Sequence, residues 1–308
     1  MNDPLSDILD LVGVKSSVYF QKDFHAPWCM SVSDTGFAQF HIIVRGSAVV
    51  MEGGNTLQVS AGDIVFFPKG SSHKIGDAPD SPAMRGQDVI ASMQNGVEPF
   101  SDGGTATRMI CGHFEYDFDY AHPLFEELPK RILLGAAELP EMDHLFGLLQ
   151  LIIRESSNNA PGSKVVVRRL SDSLLVTILR GYFEKEKSNI GFHRGLGDKR
   201  ISRAISAIHS DDTQYTVDEL ATLAGMSRSS FLQHFKNLMG QSAGAYSTRW
   251  KLLKARYALN DTNTSIESIA FSAGYNSATA FSRAFHSHFS ETPTQCRNEG
   301  RSDIRSVS

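Results

Sequence analysis

Thr216–Phe235 reads TVDELATLAGMSRSSFLQHF, and about fifty residues later Ser265–Phe285 reads SIESIAFSAGYNSATAFSRAF. Leu220-Ala221 aligns with Ile269-Ala270, Ala224-Gly225 with Ala273-Gly274, and Phe231 and Phe235 with Phe281 and Phe285. Each copy has the apolar spacing of a short amphipathic helix, then a glycine where a tight turn favours positive φ, then a second helix with a polar outer face. Val217, Leu220 and Leu223 are expected to face Phe231, Leu232 and Phe235 across the small Ala221. Ser227 and Ser277 stand where the second helices need N-caps, and Thr216 and Ser265, each followed by acidic residues, where the first helices do. This pattern is a helix-turn-helix, whose second helix enters the DNA major groove, and the chain carries two of them.

With the apolar positions turned inward, the outward positions of the second helices follow. They are Arg228, Ser229, Gln233, His234 and Lys236 in the first copy and Ala278, Thr279, Ser282, Arg283 and His286 in the second. Gln pairs bidentately with adenine and Arg with guanine, each contact discriminating by about 1–3 kcal/mol. Lys236, Arg228 and the helix N-termini suit phosphates. Between the copies, Tyr246, Trp250, Leu253, Ala255, Ala258 and Leu259 fall at near-helical spacing within Ser242–Asp261. A long helix there fixes the separation of the two reading heads, and heads roughly 34 Å apart meet successive major grooves.

Three motifs, AGMSRSSF (224–231), TRWKLLKARYAL (248–259) and IAFSAGYNSATAFSRAFHSHFSETP (269–293), resemble the DNA-binding domain of the AraC/XylS family of bacterial transcription regulators. The resemblance covers residues 200–297 or so. It implies base-facing roles for Ser229, Leu232 and Gln233 on the first recognition helix and for Thr279, Ser282 and Arg283 on the second, with Trp250 and Leu253 in the core of the linker helix. It also implies double-stranded operator DNA and RNA polymerase as partners. Three positions depart from the family pattern: Ser242-Ala243 replaces Thr-Pro, Ser290 stands where Gly is common, and Cys296 where Tyr closes the domain. These bear on local stability more than on function.

The 308 residues suffice for two domains, and 41% hydrophobic with 9% aromatic residues exclude a disordered chain. The net charge of −4 hides an asymmetry: residues 1–189 carry 16 Lys and Arg against 24 Asp and Glu, net −8, and residues 190–308 carry 14 against 10, net +4. The basic part coincides with the two reading heads, as phosphate contact requires. The acidic part suits sensing or dimerisation. No apolar run approaches the ~20 residues of a membrane span. The start, MNDPLSDILDLVGV, lacks the basic segment of a secretory signal, and three scattered cysteines (Cys29, Cys111, Cys296) suit a reducing cytoplasm.

Residues 16–120 hold short runs rich in Val, Ile, Phe and Tyr between glycines and prolines, the pattern of a β-sandwich or barrel. FAQFHIIVRGSAVV (37–50) turns at Arg45-Gly46, and MICGHFEY (109–116) forms another strand with Cys111 and His113 on one face. GDIVFFPKGSSH (62–73) resembles the second motif of cupin barrels, and FHIIVRGSAVV a degenerate first motif. By that resemblance His41 and His73 stand near the metal-ligand positions of cupins, with His113 and Cys111 as further ligand-binding candidates. The first motif lacks its His-x-His pair, so no metal, cofactor or catalytic residue is assigned, and a barrel without metal ligands still holds a small molecule. Cys111 reads as a small buried hydrophobe, with a redox role for it or Cys29 as the alternative.

DHLFGLLQLIIRE (143–155) and SKVVVRRLSDSLLVTILRGYFEKEK (163–187) are amphipathic helices; Leu170, Leu174, Ile178 and Phe183 form a stripe that packs on the barrel or joins two subunits. The expected protein is α+β. A cupin-like β-barrel with C-terminal dimerisation helices spans 1–187, a linker 188–198, an all-α DNA-binding domain with two helix-turn-helix motifs joined by a linker helix 199–298, and a disordered tail 299–308. The function that follows is sequence-specific regulation of transcription, with a small-molecule effector in the barrel and a homodimeric assembly. A metal-dependent cupin enzyme fused to DNA-binding helices and a regulator without a ligand remain the alternatives.

Overall fold

The computed structural model describes residues 3–116, 122–135, 142–158, 160–185, 191–210, 214–261 and 264–298. Residues 188–190 of the expected linker and the expected tail lie outside the described residues. In chain order the elements are α1 (Pro4–Val12), β1 (Lys15–His25), β2 (Cys29–Val32), β3 (Ala38–Arg45), β4 (Ser47–Glu52), β5 (Asn55–Ser60), β6 (Ile64–Phe67), β7 (His73–Gly76), β8 (Ala83–Arg85), α2 (Gly86–Gln94), β9 (Ala106–Glu115), α3 (Pro123–Glu126), β10 (Ile132–Leu134), α4 (Met142–Asn158), α5 (Ser163–Lys185), α6 (Phe192–Gly197), α7 (Lys199–His209), α8 (Val217–Leu223), α9 (Arg228–Met239), α10 (Ala243–Asp261), α11 (Ile266–Ser272) and α12 (Ala278–Phe289).

The chain divides into two compact units. One comprises residues 14–116 and 128–186; the other comprises 1–13, 117–127 and 187–308. Within the second unit, α1 and the segment around α3 cluster with the C-terminal helices. The reason is apolar and polar docking, since Leu11 joins the core of the second head and His122 is buried against Phe192 and Tyr246.

The β unit has two five-stranded sheets, ordered β1-β9-β3-β6-β10 and β5-β4-β7-β2-β8. Apolar residues of both sheets meet in one core, with Phe24, Trp28, Val50, Phe67, Ile75 and Met109 fully or almost fully buried. Arg45-Gly46 turns as expected, Gly46 taking φ +83° between β3 and β4. At Gly112 on β9, a Cβ would lie 2.4 Å from Ser17 O and 2.5 Å from the Phe40 ring, so only glycine lets β1 and β3 close on this strand. Helix α5 packs on β1 and β10, where Ser16 Oγ lies 2.8 Å from Asp172 Oδ1. Leu174 and Ile178 of the predicted stripe are wholly buried there, whereas Leu151, Val165 and Val166 are exposed.

The helical unit holds α1, α3 and the run from α6 to α12. Gly191 N–H donates to Leu238 O and Phe192 N–H to Glu127, and the Phe192 ring is buried. The glycine-rich segment read as a linker thus forms α6 and packs on α7 and α9. Asp198 caps α7. Thr216 and Glu219 form a capping box on α8, and Ser227, Ser265 and Ser277 cap α9, α11 and α12, as the spacing predicts. Gly225 (φ +66°) and Gly274 (φ +84°) make the two turns. Ser242 accepts from Ala245 N–H and so starts α10 without the family's Thr-Pro.

Ser290 closes α12 with φ +60°, a left-handed conformation that Gly240 supplies at the matching end of α9. A side chain there costs roughly 1–2 kcal/mol relative to glycine. Ser290→Gly is therefore expected to raise the stability of the helical unit by up to about 1 kcal/mol after the larger unfolded-state entropy of glycine. Calorimetric unfolding of the full chain checks this, with Ser290→Ala as the control that should give no gain.

Candidate nucleic-acid interface and barrel cavity

The two reading heads have the same internal construction. Leu220, Ala221, Phe231 and Phe235 are buried in the first head and Ile269, Ala270, Phe281 and Phe285 in the second. The phenylalanine rings of each pair sit 5.7 and 5.5 Å apart. Leu223 departs from expectation: it is 41% exposed, because the turn at Gly225 comes only two residues later and α9 cannot cover it. Its neighbour in the aligned copy, Phe271, is exposed as well.

On α9, Arg228, Ser229, Gln233 and Lys236 are exposed and Leu232 is half-buried, which reconciles its inward and base-facing readings. Ser229, Gln233 and Lys236 follow the i, i+4, i+7 spacing of one helical face. On α12, Thr279 and Arg283 are exposed, and Ala278 and Ser282 are partly so. Arg228 donates to Asp218 at 2.6 Å, an exposed pair that competing phosphates can open. His234 does not belong to the outward face. Its Nε2 donates to Asp198 Oδ2 at 2.8 Å, bracing the cap of α7. Burial pushes the Asp198 carboxyl up, but hydrogen bonds from His234, Arg200 and two backbone amides outweigh it and hold the group well below the usual range.

Helix α10 ties the heads together. Trp250, Leu253, Ala255 and Leu259 are buried, as predicted, while Arg256 turns out to be buried and paired with Glu291. Arg256 Nη1 also lies 3.4 Å from Sγ of Cys296, which fills the position expected for tyrosine. A polar chain that no motif announced runs beneath α10. Leu124 N–H donates to His122 Nδ1, so His122 Nε2–H donates to Tyr246 Oη at 2.8 Å, and Tyr246 O–H donates to His209 Nε2 at 2.7 Å. His209 Nδ1 then faces Asp7 Oδ2 at 3.4 Å, and the His209 ring stacks on Trp250 at 3.7 Å. Burial keeps both imidazoles neutral, His209 being pushed down to about 3 and His122 well below its ordinary value.

In the β unit, three of the four ligand candidates meet. Ser71 O can only accept, so His73 Nδ1–H donates to it at 2.7 Å. His73 Nε2 therefore accepts from His41 Nε2–H at 2.8 Å, and His41 Nδ1 accepts from the Cys111 thiol at 2.9 Å. His73 also stacks on Phe67 at 3.7 Å. Burial drives the Cys111 thiol well above its ordinary value, His41 well below, and His73 down to about 4, so all three are neutral. His113 stays apart, bonded to Glu115 at 2.9 Å and stacked on Tyr19 and Phe37. These residues do not fit the metal centre of a cupin: the two imidazoles that would be ligands bond to each other and no carboxylate joins them. Among the described residues no group of three or more His, Cys, Asp or Glu is arranged to hold a metal ion. Cys29 is buried, its thiol pushed up by burial and its Sγ 3.9 Å from Met30 O. Beside the chain lies a cavity of about 450 Å³, lined by His41 and Cys111 together with Tyr19, Phe20, Met30 and Ile90.

The neutral imidazoles have a measurable consequence. In the unfolded chain His73 takes a proton near 6.5, in the fold near 4. Between those values the unfolded state holds more protons, so its contribution to stability is complete above 6.5 and is lost as pH falls toward 4. His41, His122 and His209 shift in the same direction. Denaturant unfolding at pH 7, 5.5 and 4.5 should show falling stability for the wild type and a shallower fall for His73→Gln; identical slopes would contradict the neutral chain.

Compared with known proteins, residues 3–184 match the Cupin family and residues 220–299 a helix-turn-helix domain family. The chain is 32% identical over 274 residues to the HTH-type transcriptional regulator MtrA of Neisseria gonorrhoeae, covering 84% of this chain and 86% of that protein. It is 27% identical over 305 residues to an uncharacterized HTH-type transcriptional regulator of Haemophilus influenzae, covering 96% and 98%. A Streptomyces lividans protein described as an AraC-like transcription regulator is 27% identical over 287 residues, covering 92% and 94%. No helix among the described residues is long and apolar enough to cross a membrane.

Proposed function

The chain belongs to the AraC-type DNA-binding transcription regulators that carry an N-terminal cupin domain, and on that premise we propose which residues read DNA and where the signal enters. Gln233 and Arg283, on equivalent faces of α9 and α12, read base edges, flanked by Ser229, Leu232, Ala278, Thr279 and Ser282. Arg228 and Lys236 hold phosphates. The observation that carries this reading is that both recognition helices keep these side chains at the surface while their phenylalanines fill the heads. The barrel cavity lined by Cys111 and His41 receives a small-molecule effector. It binds rather than transforms its ligand, since Cys111, His41 and His73 are neutral and spend their hydrogens on one another.

The signal leaves through β1 and β9. These strands pair with Lys15 opposite Glu115, and the chain continues from them into α1 and toward His122, segments that pack within the helical unit. The protein acts in the cytoplasm as a homodimer, with RNA polymerase as its downstream partner. Exposed Leu151, Val165 and Val166 on α4 and α5 support the dimer. Val165→Glu with Val166→Glu should shift the sedimentation of the purified protein from dimer to monomer without loss of fold; an unchanged species would remove this face from the assembly.

Arg283→Ala is expected to weaken binding to the selected operator by roughly 10- to 100-fold and to relax one base position. Lys236→Ala should weaken binding to all sequences alike and reduce the slope of log affinity against log salt by about 1. Gel shift and salt titration on DNA selected from random pools check both; unchanged operator affinity for Arg283→Ala would end the assignment of α12.

A further inference from the structure

The cavity of the β unit is unusual in what its walls offer. Several of its hydrogen-bond donors are committed to protein partners. Cys111, His41 and His73 form the closed chain that ends on Ser71 O. The Thr35 hydroxyl donates to Phe37 O, Gln39 Nε2 to Thr35 Oγ1 at 2.7 Å, and the Ser31 hydroxyl to Met84 O. Arg85, the cation among the lining residues, spends Nε and Nη2 on the two oxygens of Asp88, at 2.7 and 3.0 Å. Beside Ser33, Gln87 and the Tyr19 hydroxyl, the walls offer a ligand a carboxylate and aromatic surface. Asp34 lines the cavity as an exposed carboxylate that accepts one hydrogen bond, from Ser72 N–H. Tyr19 and Phe37 also line it, 37% and 42% exposed.

Electrostatics point the same way. His41, which lines the cavity, and His73, bonded to it, stay neutral, so no imidazolium repels a positive ligand. The Tyr19 hydroxyl is pushed up to about 12 by burial and then by Cys111 and Glu115, so the phenol stays un-ionised, with His113 stacked on its ring. Residues 1–189 carry a net charge of −8, which raises the local concentration of cations and lowers that of anions. A cation finds aromatic residues and a carboxylate here.

We propose that this cavity binds an organic cation with an apolar body, its head held by Tyr19, Phe37 and Asp34 and its body against Phe20, Met30 and Ile90. The proposal rests on the reading of the barrel as the effector site. Three probes of one shape test it on the full-length protein by calorimetry: benzyltrimethylammonium, neopentylbenzene with carbon in place of nitrogen, and benzylsulfonate. The cation should bind about tenfold more tightly than its neutral isostere, and the sulfonate more weakly still. Asp34→Asn keeps an oxygen for Ser72 N–H; it should weaken the ammonium several-fold and leave neopentylbenzene unchanged. Neutral or anionic probes binding as well as the cation would overturn the charge preference while leaving the effector site standing. No binding of any of the three would overturn both.

Discussion

The structure of the helical unit depends on what α10 buries. Along one helix, Tyr246 and Trp250 engage His209 of α7, while Leu252, Leu253 and Leu259 enter the core of the second head with Phe281, Phe285 and Phe289. A single α-helix advances 1.5 Å per residue and resists bending, so residues anchored at its two ends hold the heads at a fixed spacing and rotation. Neither head needs a large core of its own, because each borrows α10 as a wall. Buried side chains on α10 therefore determine whether α9 and α12 can meet the same face of a duplex.

How much of this could be read in the sequence follows from how local each interaction is. The caps at Thr216, Ser227, Ser265 and Ser277, the turns at Gly225 and Gly274 and the paired phenylalanines lie within a few residues of their partners, and the repeat displays them twice. His234 was legible as a helix position but not as a partner, since Asp198 lies 36 residues away. The segment around Phe192 looks like a linker by its glycines; only its tertiary partner Glu127 makes it a helix with a buried ring. The chain from His122 through Tyr246 to His209 has no spacing signature, because its members lie 124 and 37 residues apart.

The barrel illustrates a different limit. Its second cupin motif indicates where His73 stands and the degenerate first motif where His41 stands, and the missing His-x-His pair argues against a metal without showing what the two imidazoles bond instead. Geometry shows that. A metal draws lone pairs of several ligands toward one point, whereas here each lone pair faces a neighbour's hydrogen, from Cys111 to His41 to His73 to Ser71 O. A buried polar chain with every hydrogen placed is stable without an ion, and the low effective dielectric that strengthens its bonds also opposes charging any member. His113, two residues along β9 from Cys111, falls outside because Glu115 and the rings of Tyr19 and Phe37 hold it.

The cavity floor includes Cys111 on β9, and β9 pairs along its length with β1, the two strands from which the chain runs to α1 and to His122. At the far end, Asp7 of α1 faces His209, and His122 closes the bond to Tyr246. His122, Tyr246 and His209 are buried, so a small displacement of the segment around His122 leaves a donor or acceptor unpaired, at a cost of roughly 1–3 kcal/mol. Allosteric coupling energies are typically of that same size, about 1–3 kcal/mol. A buried network that is either fully bonded or broken favours two arrangements over a graded series. Tyr246 and Trp250, at the centre of that network, are also residues through which α10 sets the position of the first head, so a change at His122 or Asp7 acts on the element that fixes how the heads are presented.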